Sequence, residues 1–165
     1  MPVVDTLLRL AEPPALYEPR WTEEILAEVT RTLVVRFGKA REKALYREAA
    51  MREFFRDSMV ANYEPLVAQM TNHPKDRHVL AAAVACRADY LVTFNLKDFL
   101  RPSTSAAEVI VTGPSAFLRQ LARLDRATVE ERLNQQAAIG VRFGDLLDRL
   151  AGSVPGFVSM LRTPD

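Results

Sequence analysis

The chain reads as an α/β protein: a parallel sheet flanked by helices, followed by a C-terminal helical extension. Three observations point to this. Strand-like and helical segments alternate up to about Thr112. The apolar run "DYLVTF" (89–94) directly follows an alanine-rich helical segment, as in a βαβ unit. Beyond Pro114 the pattern is helical only. The expected division is therefore 1–112 for the α/β domain and 113–165 for the extension.

The elements follow in order. "VDTLLRLAE" sets Leu7, Leu8 and Leu10 on helical spacing, and "PPA" ends it. "LYEPRW" has the composition of a short strand, with Pro19 better suited to an edge or end than a middle. "TEEILAEVTRTLVVRF" is a helix with Thr22 as N-cap, acids in its first turn and Gly38 after its end. Its apolar stripe is Ile25, Leu26, Val29, Leu33 and Val34. "KAREKALYREAAMREFFRD" is a second, highly charged helix, with Leu45, Ala49, Met51 and Phe54 or Phe55 expected inward. "SMVANYEPLVAQM" has room for a short strand. "DRHVLAAAVACRA" reads as a buried helix and "DYLVTF" as a fully buried strand. "EVIVT" is a further strand, entered after the polar turn "RPSTSA". "PSAFLRQLARL", "ATVEERLNQQAAI", "FGDLLDRLAG" and "GFVSMLR" then read as helices.

Composition narrows the function classes. The 165 residues are 48% hydrophobic, enough for a core. Basic and acidic residues balance, 22 against 21, so only local clusters can speak for nucleic acid. The single cysteine, Cys86, excludes a disulfide within the chain and reads as a small core residue. No apolar run approaches the ~20 residues of a membrane span. "MPVVDTLLRL" has no basic segment ahead of its apolar part, so a signal peptide is not expected. The expectation is a cytoplasmic protein with no membrane partner.

Three carboxylates stand where chemistry can gather. Glu28 lies in the helix after "LYEPRW", Asp76 opens the helix before "YLVTF", and Asp98 follows that strand with Thr93 and Asn95. Ligands of such sheets bind at the carboxyl ends of strands. Clustered carboxylates repel one another unless a cation joins them, and hard oxygen donors suit Mg²⁺ or Mn²⁺. Each residue also has a plainer role open to it. Asp76 can be a helix N-cap, Glu28 a solvated helix residue, and Asp98 and Asn95 turn residues. His73 and His78 read as surface or loop residues, since no histidine ligand spacing accompanies them. Residues 31–47 carry Arg31, Arg36, Lys39, Arg41, Lys43 and Arg47 against Glu42 alone. That cluster suits an RNA backbone, or is a solvated helix face.

"DRHVLAAAVACRADYLVTFNLKDF" resembles the signature of the PIN domain, the fold of VapC-type toxin ribonucleases. "WTEEILAEV" resembles that family's second acidic segment. "GPSAFLRQLARLD…VEERLNQQAA" resembles a branch with a C-terminal helical extension. The resemblance implies a PIN-like fold and a toxin of a toxin–antitoxin system, an endoribonuclease cutting RNA with metal-activated water. It implies Glu28, Asp76 and Asp98 as metal ligands, Asn95 and Thr93 as orienting groups, and Mg²⁺ or Mn²⁺ as cofactor. It also implies a cognate, DNA-binding antitoxin that sets a basic side chain among the acids.

The chain departs from the pattern at its start. PIN domains open with an apolar strand ending in Asp, and only "PVVD" is offered here. The 23 residues from Asp5 to Glu28 must hold a helix, a strand and part of a second helix, so Asp5 reads as a helix cap and the leading strand as missing. A second chain supplying that strand, a homodimer, or "LYEPRW" pairing beside "YLVTF" are the arrangements this leaves open. The alternative function is a degenerate, catalytically weak PIN module, or half of a split toxin, that binds RNA or antitoxin. A metal-dependent phosphatase ranks third, because neither a nucleophile elbow nor a phosphate loop is present.

Overall fold

The computed structural model describes residues 2–99 and 108–163, and the structure is mixed α/β. The expected turn "RPSTSA" lies outside the described residues. Nine α-helices are described: α1 (Pro2–Leu10), α2 (Glu23–Val35), α3 (Arg41–Phe54), α4 (Glu64–Val67), α5 (Arg77–Ala85), α6 (Pro114–Leu124), α7 (Arg126–Ala137), α8 (Phe143–Ala151) and α9 (Pro155–Arg162). Two strands, β1 (Tyr90–Val92) and β2 (Ile110–Thr112), form a sheet. Its bonds fix the direction. The Ile110 N–H donates to the Asp89 carbonyl, and the Thr93 N–H to the Thr112 carbonyl, each at 3.0 Å. The two strands therefore run the same way.

The chain divides into two compact units. One gathers residues 1–18, 92–96 and 111–165; the other gathers 19–91 and 97–110.

The first unit is mainly helical. Its core holds Val3, Leu10, Leu118, Val129, Leu133, Leu150, Val154 and Phe157, all at most 1% exposed. The N-terminal helix is tied in by polar bonds as well as apolar ones. The buried Thr6 hydroxyl lies 2.8 Å from Gln136 Oε1, and Gln136 Nε2 donates to the Pro2 carbonyl at 3.0 Å. Tyr17 sets its ring edge-on to Phe117, donates its hydroxyl to the Leu7 carbonyl at 2.9 Å, and has its phenol pushed up by burial. Asp125 caps α7 by accepting from the Thr128 N–H at 2.9 Å. Prolines begin α6 and α9, where a missing N–H costs nothing.

The second unit holds α2 to α5. Thr22, fully buried, accepts from the Ile25 N–H at 3.1 Å and starts α2 as the sequence predicts. Gly38, at φ 60°, lets the chain turn from α2 toward α3. Between these helices Glu48 accepts from Thr30 and from Arg52, and Arg52 also pairs with Glu23. The Arg52 hydrogen bond is the main reason the Glu48 carboxyl sits below its usual range. Tyr63, Ala81 and Ala82 form a buried cluster with Val60, Leu66, Val67 and Met70 against it.

Several expectations need correcting. "LYEPRW" is not a strand. Only Trp21 pairs, in a single parallel bridge to Met59, with the Trp21 N–H on the Ser58 carbonyl and the Val60 N–H on the Trp21 carbonyl. It does not pair beside β1. On α3 the buried residue is Ala44, while Leu45, Ala49 and Phe54 are exposed and Met51 and Phe55 half-buried. In β1 only Leu91 is buried, so that strand is not fully enclosed. Cys86 is half-buried at the end of α5. Among the described residues no helix is long and apolar enough to cross a membrane.

Candidate metal centre

The site lies in the second unit, at the entry to α5. The chain makes a tight 3₁₀ turn over Pro74–Asp76 and then continues as α5. A second 3₁₀ turn, Leu96–Asp98, is held to it through the backbone. The His73 N–H donates to the Asp98 carbonyl at 3.1 Å, and the Asp76 N–H to the His73 carbonyl at 2.9 Å. These two turns bring together side chains that are 22 residues apart in sequence.

One ligand atom each from His73, Asp76 and Asp98 lies within 4.8 Å of the others. Asp76 stands at the N-cap position of α5, yet its side chain makes no capping bond. The carboxylate is turned to the cluster instead, where it interacts with Asp98. Burial pushes the Asp76 carboxyl up, Lys75 pulls it the other way, and the hydrogen bond and charge of Asp98 add to the rise. Lys75 Nζ lies 2.9 Å from Asp98 and 3.8 Å from Asp76. The bond to Asp98 is the main cause holding the Lys75 ammonium above its usual range.

Glu28 is on α2, half-exposed and outside that group of three. Its carboxylate is 3.4 Å from His78 Nε2 and 3.5 Å from Arg31, and its charge reaches Lys75. His78 is buried, not a surface residue as expected. The His78–Glu28 approach is close enough for an ion pair but does not have hydrogen-bond geometry, so Nε2 has no hydrogen bond among the described residues. Thr93 and Asn95 belong to the other unit, where the Asn95 N–H donates to Thr93 Oγ1 at 3.0 Å.

Of the basic residues, Arg31, Arg36, Lys39, Arg41 and Lys43 are exposed. Arg36 lies over the Phe37 ring at 5.7 Å. Arg47 is half-buried and lines the α2–α3 contact with Leu26, Leu33 and Met51.

The sequence reads His73 as a surface or loop residue and singles out nothing at Lys75. The signal for His73 was its place three residues before Asp76, where one turn of chain returns to the same spot. Lys75 gave no signal, because a lone lysine in a loop is ordinary.

The donor set fits a divalent ion. Two carboxylates suit a hard divalent ion such as Mg²⁺ or Mn²⁺. No family model matches the chain, and no solved structure matches it. Among curated proteins, the Mycobacterium tuberculosis protein named "Putative ribonuclease VapC50" is 36% identical over 109 residues, covering 61% of this chain. The chain spans 62% of that protein's length. Alongside the acidic cluster, this likeness supports the resemblance to VapC-type proteins.

Proposed function

We propose that the chain is the toxin of a toxin–antitoxin pair and an endoribonuclease that depends on Mn²⁺ or Mg²⁺. The observation that carries this reading is the convergence of Asp76, Asp98 and His73 from two separate turns. A merely structural aspartate at an N-cap would spend its carboxylate on the helix, and Asp76 does not. The relative's name supplies the reaction class.

When bound, a divalent ion supplies Lewis acidity toward water and the phosphodiester. Asp76 and Asp98, with His73, would hold it. Glu28, near His78 and Arg31 and with its charge felt at Lys75, is the third acid in the proposed ligand set. The resemblance alone assigns Thr93 and Asn95 an orienting role. Arg31, Arg36, Lys39, Arg41, Lys43 and Arg47 are proposed to follow the RNA backbone, a contact that weakens as salt rises. The 113–165 helices are proposed as a C-terminal extension, and the protein as cytoplasmic. The partner is a DNA-binding antitoxin whose arginine or lysine enters the acidic cluster.

A second reading, a module that binds RNA or antitoxin but cleaves weakly, is favoured by one observation: among the described residues only two carboxylates meet in the cluster. Fewer charged oxygens hold Mg²⁺ or Mn²⁺ less tightly. Incubation with single-stranded RNA in Mn²⁺ separates the two. Cleavage that stops with EDTA and with Asp76→Asn supports the enzyme; RNA binding without cleavage supports the module.

A further inference from the structure

We propose that Lys75 is a tethered counter-ion of the cluster, and that a divalent ion enters by displacing its ammonium group. The inference rests on the metal-centre reading and adds a residue that the reading does not use.

The geometry is specific. Nζ of Lys75 bridges the same two carboxylates that would hold the ion, at 2.9 Å from Asp98 and 3.8 Å from Asp76. Lys75 lies between His73 and Asp76 in the chain, on the same 3₁₀ turn that delivers both. Its side chain is 59% exposed, whereas Asp98 and Asp76 are 11% and 19% exposed. The carboxylates are thus fixed by their surroundings and the cation is free to swing out.

Each property has a consequence. Two partly buried carboxylates this close repel when both are ionised. A single positive charge between them lets the cluster persist without metal. An exposed lysine pair is weak and is readily given up, since the side chain regains its entropy on release. A divalent ion carries twice the charge and takes several oxygens at once, so it wins the exchange. Lys75 therefore sets how much free metal is needed to fill the site. Once released, it is a cation on a flexible stem beside the centre.

The test is a Mn²⁺ titration of the full chain, following loss of the free-ion electron paramagnetic resonance signal. Wild type is compared with Lys75→Met, Lys75→Arg and Asp98→Asn, each checked for folding by circular dichroism. Lys75→Met keeps most of the length and removes the charge. It is expected to bind Mn²⁺ roughly three- to tenfold more tightly than wild type, the range left after solvent screening of an exposed pair. Lys75→Arg keeps the charge and is expected to bind no more tightly than wild type. The gap between wild type and Lys75→Met is expected to narrow in high salt. Equal or weaker binding by Lys75→Met, with wild type still binding and Asp98→Asn impaired, overturns the role of Lys75 and leaves the metal centre standing. No Mn²⁺ binding by wild type or Lys75→Met overturns the metal centre and the inference with it.

Discussion

Asp76→Asn is expected to stabilise the protein at neutral pH while disabling its site. The Asp76 and Asp98 ligand atoms lie within 4.8 Å. Two unit charges at that separation repel by about 0.9 kcal/mol in water and about 3.5 kcal/mol at an effective dielectric of 20. With both side chains largely but not fully buried, the effect falls between these limits. Lys75 offsets part of it, and a carboxylate near a helix start recovers about 0.5 kcal/mol. A net gain of about 1 kcal/mol remains for the neutral amide, or about 2–4 °C in melting temperature for a chain of this size. No capping bond is lost, because Asp76 makes none. The pH dependence has a definite sign. A carboxyl raised above its ordinary 3.8 holds its proton more tightly folded than unfolded. The protonated form thus favours the folded state, and that advantage fades as pH rises from about 4 through the native value. Urea unfolding of both proteins at pH 4 and pH 7 is the assay. The variant's advantage is expected at pH 7 and should shrink or vanish at pH 4. A variant that is less stable at pH 7, or a difference that does not change with pH, refutes the reasoning.

Thr22→Ala removes a fully buried cap from α2, the helix that carries Glu28, and is expected to cost about 1–2 kcal/mol in urea unfolding. Leu133→Ala empties a fully buried position of the first unit and is expected to cost about 2–5 kcal/mol, read as a lower melting temperature by differential scanning calorimetry. Glu48 has its carboxyl lowered by Arg52 and Thr30, so it stabilises the fold above the usual carboxylate range and stops doing so as pH falls through its native value. Glu48→Gln should therefore lose stability near pH 7, and the loss should fade under acid; a loss equally large at low pH would count against the pairing.

Local signals carried much of the fold. The start of α2 was legible because Thr22 and two first-turn acids act within a few residues of one another, and its end because Gly38 follows it. Pro114 marked the start of α6 for the same reason. The errors came from partners far along the chain. "LYEPRW" has strand composition, but pairing depends on Met59, which offers one bridge only. On α3, charged residues leave apolar ones on several faces, and only the packing against α2 decides for Ala44 over Leu45. Asp76 and Asp98 could be named from the sequence and expected to converge, but the geometry of their meeting could not be read from it. It depends on the His73–Asp98 backbone bond and on Lys75 between the carboxylates, both products of tertiary structure. His73 shows no ligand spacing to another histidine, because its partners here are carboxylates.

In the proposed function, a divalent ion held at Asp76 and Asp98 drives RNA cleavage. The most direct measurement takes the cleavage rate of a labelled single-stranded RNA across a Mn²⁺ series and, on the same protein, Mn²⁺ occupancy by direct titration. The expected result is one curve: the rate rises with occupancy, reaches half its maximum at the dissociation constant, and is lost in Asp98→Asn at the same Mn²⁺ concentrations. Cleavage that proceeds in EDTA, or that persists unchanged in Asp98→Asn, would contradict the claim.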